Sequence, residues 1–171
     1  MTLMLMSARR AGEGERLVRS GEWEGWHPTQ MLGLHLSGKT VGIVGMGRIG
    51  QAIAQRCHYG FGMKVGYVSR SPKILPFEAA AFGSLIELAS AVDVLVLAVP
   101  GGAETHHLVN ADVLNVMQPH SHLVNISRGN VVDEAALIAA LQSDQIGGAG
   151  LDVYEFEPTV PQALRDLENV V

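Results

Sequence analysis

Five short apolar runs constrain the fold more than anything else in the chain. They are "TVGIVG" from Thr40, "MKVGYV" from Met63, "VDVLVLAVP" from Val92, "SHLVNIS" from Ser121 and "GGAGLDV" from Gly147. Strands with no polar alternation are covered on both faces, which is the habit of parallel sheets. Between the runs lie helical signals. Arg48 to about Tyr59 places Ile49, Ile53 and Cys57 on one face. Ser84 and Glu87 have capping-box spacing for a helix through Ala91, and Asn110 can cap another ending near Met117. Asp133 can cap "EAALIAALQ", with Leu137, Ile138 and Leu141 together. "AAF" near residue 81 is a short further strand. Strands alternating with helices imply βαβ units, so the chain is expected to be α/β, a doubly wound parallel sheet of the Rossmann type.

Residues 2–19 read as one helix, weakened by Gly12 and Gly14 and stopped near Gly21. The loop "GEWEGWHPTQMLG" follows, with both tryptophans. We divide the chain into residues 1–38, an inter-domain helix with a tryptophan loop, and 39–171, a dinucleotide-binding domain. A helix outside the sheet needs cover for its apolar side, so residues 1–38 are expected to form a homodimer contact.

The net charge of −5 and the absence of a basic stripe argue against nucleic acid as a partner. The opening "MTLMLMSARR" imitates a signal sequence, but its apolar run is short and its arginines follow it. No stretch reaches membrane-spanning length. A single cysteine, Cys57, rules out an internal disulfide and suits a reducing compartment, so a cytoplasmic protein is expected. No metal ligand set is assigned.

In parallel sheets ligands bind beyond the carboxyl ends of the strands. After the first run comes G-x-G-x-x-G, at Gly45, Gly47 and Gly50, between a strand and an amphipathic helix. Gly45 suits a tight turn, Gly47 the approach of a pyrophosphate, and Gly50 close packing of helix on strand. Met46, Arg48 and Ile49 complete this cofactor-binding loop, and the helix start favours an anion. At the end of the second run, where NAD-binding chains commonly carry an acid, this one reads "YVSRSPK". Ser69, Arg70 and Ser71, with Lys73 nearby, suit a 2′-phosphate, so NADP(H) is preferred and NAD(H) remains open. The bland alternative makes Arg70 a solvated loop charge.

The later motifs are more specific. "LVNISRGNVVDEAALIAAL" followed by "GGAGLDVYEFEP" resembles the signature of the D-isomer-specific 2-hydroxyacid dehydrogenases. With "GEWEGWHPTQMLG" and "GKTVGIVGMGRIGQAIAQR" added, the likeness is to their glyoxylate/hydroxypyruvate reductase branch and covers nearly the whole chain. The resemblance implies hydride transfer between NADPH and C2 of a small 2-oxo acid. It makes Arg128 the cation that pins the substrate carboxylate and polarises its carbonyl. It makes Glu157 the partner of a proton-donating histidine, whose pKa such a pair raises. Glu155, two residues earlier, reads as solvated. Ile126 and Ser127 fall on the cofactor side of Arg128, Pro100 and Thr105 on a loop past the riboses, and Asp152 at the carboxamide or as a strand-end cap. Gly101 and Gly102 stand where the family is bulkier, which suggests a looser loop. Trp23 and Trp26 either cross to a partner subunit or simply pack.

In the family the catalytic histidine follows a stretch like "ENVVLTPH", and this sequence ends "LENVV" at Val171. We therefore expect the flanking substrate domain and the acid to be absent, and the isolated chain to bind cofactor without turnover. His106 and His107 sit on the wrong loop to serve Glu157, His120 and His122 at the wrong end of a strand, and His27, His35 and His58 in linker or helix. The alternative reading is a non-catalytic dinucleotide-sensing or scaffolding module. A methyl donor at the glycine loop would explain neither "SRG" nor "EFEP".

Overall fold

The computed structural model describes all 171 residues. Six strands form one sheet: β1 (Thr40–Val44), β2 (Lys64–Val68), β3 (Ala80–Ala81), β4 (Val94–Leu97), β5 (His122–Asn125) and β6 (Gly148–Leu151). Their order is β3-β2-β1-β4-β5-β6 and every pairing is parallel. This is the doubly wound order in which the chain reverses direction across the sheet between β1 and β4. The helices are α1 (Thr2–Ala8), α2 (Ala11–Ser20), α3 (Arg48–Phe61), α4 (Leu85–Ala91), α5 (Ala111–Val116), α6 (Glu134–Gln142) and α7 (Gln162–Arg165). None is long and apolar enough to cross a membrane.

The expected caps form. Ser84 accepts from the Glu87 N–H, Asn110 from Val113 and Asp133 from Ala136. The return arm of the capping box goes one residue further out, the Glu87 carboxylate accepting from the Gly83 N–H at 3.2 Å. Apolar side chains pack on both faces of the sheet. Leu88, Leu114, Leu137 and Leu141 fill one side with α4, α5 and α6; Met4, Ile53, Ala54 and Cys57 fill the other with α1 and α3. Burial also pushes the Cys57 thiol up to about 11, so it stays protonated at neutral pH.

Three expectations need correction. Residues 2–19 form two helices, not one. Leu34 N–H takes the Ala8 carbonyl at 2.7 Å, and Arg10 turns into the left-handed region at φ 53°. A carbonyl that helix continuation needs is thus used by a segment over twenty residues away. Second, α1 is not outside the sheet. Met4, Ser7 and Ala8 are buried and Leu3 lies directly over Gly150 of β6, so the chain itself covers this helix. Third, Ile49 is 62% exposed and the buried stripe of α3 is Gly50, Ile53, Ala54 and Cys57. In addition, Asn169 to Val171 run along β6, with Leu151 N–H donating to the Val171 carbonyl at 2.8 Å.

At the amino ends of the strands, polar groups satisfy one another. Ser7 Oγ bonds His122 Nδ1 at 2.7 Å, joining α1 to β5. His120 Nε2 meets Asp93 at 3.0 Å and Lys39 Nζ lies 3.4 Å from the same carboxylate. Burial alone would raise the Asp93 pKa, but the Thr40 N–H, His120 and Lys39 outweigh it and hold the carboxyl below its ordinary range. Burial, and secondarily the charge of His120, pushes His122 down from 6.5 to about 4. A base with a depressed pKa stabilises the fold fully above 6.5 and loses that contribution as pH falls from 6.5 towards 4. The loss has a slope of at most about 1.4 kcal/mol per pH unit. Urea midpoints are therefore expected to fall between pH 7 and 4.5, and to fall less steeply in His122→Leu; identical slopes would exclude His122 as a source.

Candidate functional site

The loop after β1 turns at Gly45, whose φ of 96° only glycine adopts freely. A Cβ there would also stand 2.6 Å from the Ala98 carbonyl oxygen at the end of β4. At Gly50 a Cβ would overlap the Gly45 carbonyl, so the first turn of α3 presses on the loop it follows. Gly47 differs: a Cβ there meets nothing within 4 Å. Gly47 is the N-cap of α3 and offers no side chain to its first-turn N–H groups, and Gly47, Arg48 and Ile49 line a cavity. That is a ready anion cradle. Met46 is buried beneath the loop and its carbonyl accepts from Gln51 Nε2 at 3.2 Å.

Two adjoining cavities lie along this edge and share Gly47, Ala98, Val99 and Pro100 as walls. One, of about 450 Å³, holds Gly45, Met46, Ser69, Arg70, Ser71 and Thr105, with Lys73 beside them. Its rim is built by local bonds, Ser69 Oγ to the Ser71 carbonyl at 2.6 Å and Lys73 Nζ to Ser71 Oγ at 2.8 Å. Arg70 is exposed, and Glu104 lines the same cavity. The other, of about 1240 Å³, holds Arg48, Ile49, Ile126, Ser127 and Arg128. Ser127 Oγ is buried there without a hydrogen-bond partner, an unmet polar group in a cleft wall. The structure thus brings together all but three of the expected cofactor and substrate groups; Gly50 packs under the loop and lines neither cavity.

Asp152 and Glu157 line neither cavity. Asp152 is exposed, its N–H donating to the Asn125 carbonyl at 3.0 Å. Glu157 is exposed and its carboxylate accepts from the Tyr154 N–H at 2.9 Å. Its segment is nonetheless pressed against the Arg128 loop, because a Cβ on Gly129 would overlap the Tyr154 carbonyl. That close approach is why "SRG" ends in glycine. Arg128 reaches from the same turn, its Nη1 donating to the Ser127 carbonyl at 2.7 Å. Gly101 packs beneath it, since a Cβ there would stand 2.7 Å from Arg128 Cγ. Gly102 has φ 149°, so both glycines have steric reasons beyond looseness.

Glu155 is not solvated. Its side chain is 12% exposed and one carboxylate oxygen bonds His107 Nε2 at 2.7 Å. The other accepts from the Glu134 N–H at 3.3 Å. Sequence reading missed this pair because the partner lies 48 residues away. With His106, stacked on His107 with ring centroids 4.0 Å apart, three side chains able to ligate a metal lie within 4.8 Å of one another. Both Glu155 oxygens are already engaged, which marks the group as a tie between loops.

The profile of the D-isomer specific 2-hydroxyacid dehydrogenase NAD-binding domain matches residues 1–171. The chain belongs to that family. It is similar to a glyoxylate reductase of Thermococcus onnurineus, 49% identical over 99% of this chain and 52% of the relative. Glyoxylate/hydroxypyruvate reductase B of Yersinia pestis is 46% identical over 100% of this chain and 53% of its own length. Among solved structures, the NADPH-dependent glyoxylate/hydroxypyruvate reductase of Sinorhizobium meliloti, in complex with NADP and malonate, superposes with a TM-score of 0.90 at 45% identity, covering 99% of this chain and 52% of that one. The chain spans about half the length of these relatives. It is an NAD-binding domain of the D-isomer specific 2-hydroxyacid dehydrogenases.

The glycine contacts separate fold from site. Gly129→Ala must move backbone and is expected to cost roughly 2–3 kcal/mol. Gly47→Ala meets open space and is expected to cost less than about 1 kcal/mol. Thermal unfolding of the two variants checks this, and equal losses would contradict the packing described.

Proposed function

We propose that this chain is the NADP(H)-binding half of a reductase acting on small 2-oxo acids of the glyoxylate and hydroxypyruvate class. The continuity of the two cavities carries the reading. One groove runs from a cationic mouth at Arg70 and Lys73, past the open start of α3, to Arg128. A 2′-phosphate fits the mouth, where two cations face the single carboxylate of Glu104 and no acid ends β2. The pyrophosphate fits over Gly47, and the unmet Ser127 Oγ supplies a polar contact further along. Pro100, Thr105 and Ile126 flank the path.

When bound, NADPH supplies the hydride. Arg128 fixes the substrate carboxylate by a bidentate, permanently charged contact and draws electron density from the carbonyl. With cofactor and substrate bound, Asp152 would orient the carboxamide and Glu157 would hold a histidine imidazolium that gives up the proton. No histidine of these residues bonds Glu157, whose partner here is the Tyr154 N–H. Residues 1–171 alone are therefore expected to bind cofactor and not to reduce glyoxylate. Readily measurable turnover by them would overturn that assignment of the acid.

Fluorescence titration with NADPH and NADH tests the cofactor reading. Wild type is expected to bind NADPH more tightly, and Arg70→Ala to weaken NADPH about tenfold or more with NADH little changed. Unchanged NADPH affinity would remove Arg70 from the site.

Residues 1–38 also form the proposed homodimer contact, here through the tryptophan segment. Trp23 is 51%, Trp26 77% and Leu32 67% exposed, while α2 buries no side chain. Sedimentation is expected to show a dimer that Trp26→Glu weakens; a monomeric wild type would refute the contact.

A further inference from the structure

We propose that His107 is a positioning residue, a clamp that sets the cofactor wall leaving β4 in register with the segments that carry Arg128 and Glu157. The proposal rests on the dinucleotide reading of the groove. Three loops leave adjacent strands at this edge, after β4, β5 and β6. His107, on the first, touches the other two. Its backbone N–H donates to the Asn130 carbonyl at 2.8 Å, two residues beyond Arg128. Its Nε2 bonds Glu155 at 2.7 Å, two residues before Glu157. Asp133 stands 3.9 Å from its Nδ1.

The far end of this tie is itself braced. Glu155 accepts from the Glu134 N–H, and its own N–H donates to Glu134, both at 3.3 Å. Glu134 opens α6 and is buried, so the carboxylate that receives His107 is anchored to a helix. The near end is bent to fit. His107 has φ 48°, a left-handed conformation in which few side chains other than Asn, Asp and His are found. That bend directs the imidazole across the loop instead of out to solvent. Thr105 Oγ1 meanwhile bonds the Pro100 and Gly102 carbonyls, so the wall is internally stiff and moves as a unit with its anchor. A charge-assisted bond with a half-buried acceptor is the strong kind of tie available to a loop.

The consequence is specific to ligands that span the groove. The cavity at the adenosine end joins the loops after β1 and β2 to the wall from β4 but contains no residue of the Arg128 segment, so the register between wall and segment matters less there, and a fragment such as 2′,5′-ADP reaches no further. NADPH must also meet Asn130, Ser127 and Arg128 while lying along the wall from Pro100. Loss of the clamp therefore penalises the dinucleotide far more than its adenosine half.

His107→Asn is the informative variant, since asparagine tolerates the left-handed backbone but is too short to reach Glu155. Binding of NADPH and of 2′,5′-ADP is measured on residues 1–171 by fluorescence and by competition, with a thermal melt of each variant. NADPH is expected to weaken about five- to tenfold and 2′,5′-ADP less than about twofold. Glu155→Ala, on a different loop, is expected to reproduce the effect, and the double variant to be no weaker than either single. NADPH affinity within twofold of wild type in both variants, equal loss of both probes, or additive losses would each overturn the clamp. A wild type that binds neither probe would overturn the dinucleotide reading and the clamp with it, an outcome visible before any variant is made.

Discussion

The parallel pairing of β1 with both β2 and β4 is the constraint on which the rest depends. Parallel strands send every carboxyl end to one edge, so the loops at Gly45, Ser69, Pro100, Ile126 and Asp152 gather there whatever their separation in sequence. Because the chain winds outward in opposite directions from β1 and β4, no connection crosses between those two carboxyl ends. The cleft is the space left by that reversal. Its position follows from topology before any side chain is considered.

Close approach then sharpens the edge into a site. Gly45 and Gly50 let α3 begin almost on top of β1, which brings its N–H groups to the groove instead of several ångströms outside it. Gly129 lets the Arg128 turn lie against Tyr154 and so sets Arg128 and Glu157 on neighbouring ledges. In each case a methyl group would force backbone apart, and the separation of charged groups would change with it. Packing density, not hydrogen bonding alone, thus governs the electrostatics of the groove.

The strands, the caps and the glycine loop were legible because each depends on residues a few positions apart: period for β1, β4 and β5, side-chain reach for Ser84, Asn110 and Asp133. What escaped depends on distant partners. The break between α1 and α2 arises from Leu34 capturing the Ala8 carbonyl, and local propensity, weak as it is at Gly12 and Gly14, placed no break at Arg10. Ile49 falls on an apolar i, i+4 row with Ile53 and Cys57 but lines the open groove instead of the core. Glu155 sits in a run of alternating acids whose spacing says nothing about His107. The family likeness located Arg128 and Ser127 at the groove, yet the vacancy in Ser127's hydrogen bonding is visible only in three dimensions.

The two edges of the sheet differ in how their polar groups are paired. Both hold sizeable cavities, about 670 Å³ beside His120 and His122 and about 1240 Å³ beside Arg128, so volume does not discriminate. Polar pairing does. At the amino edge Ser7 answers His122, and Asp93 answers Thr40, Lys39 and His120, so burial there is met by internal bonds. At the carboxyl edge the Ser127 hydroxyl, the exposed Arg70 and the uncapped start of α3 are left facing the groove. A buried polar atom without a partner is a cost that folding selects against unless something else answers it. The deficit thus lies at the carboxyl edge, on the groove proposed to take a polar, anionic molecule.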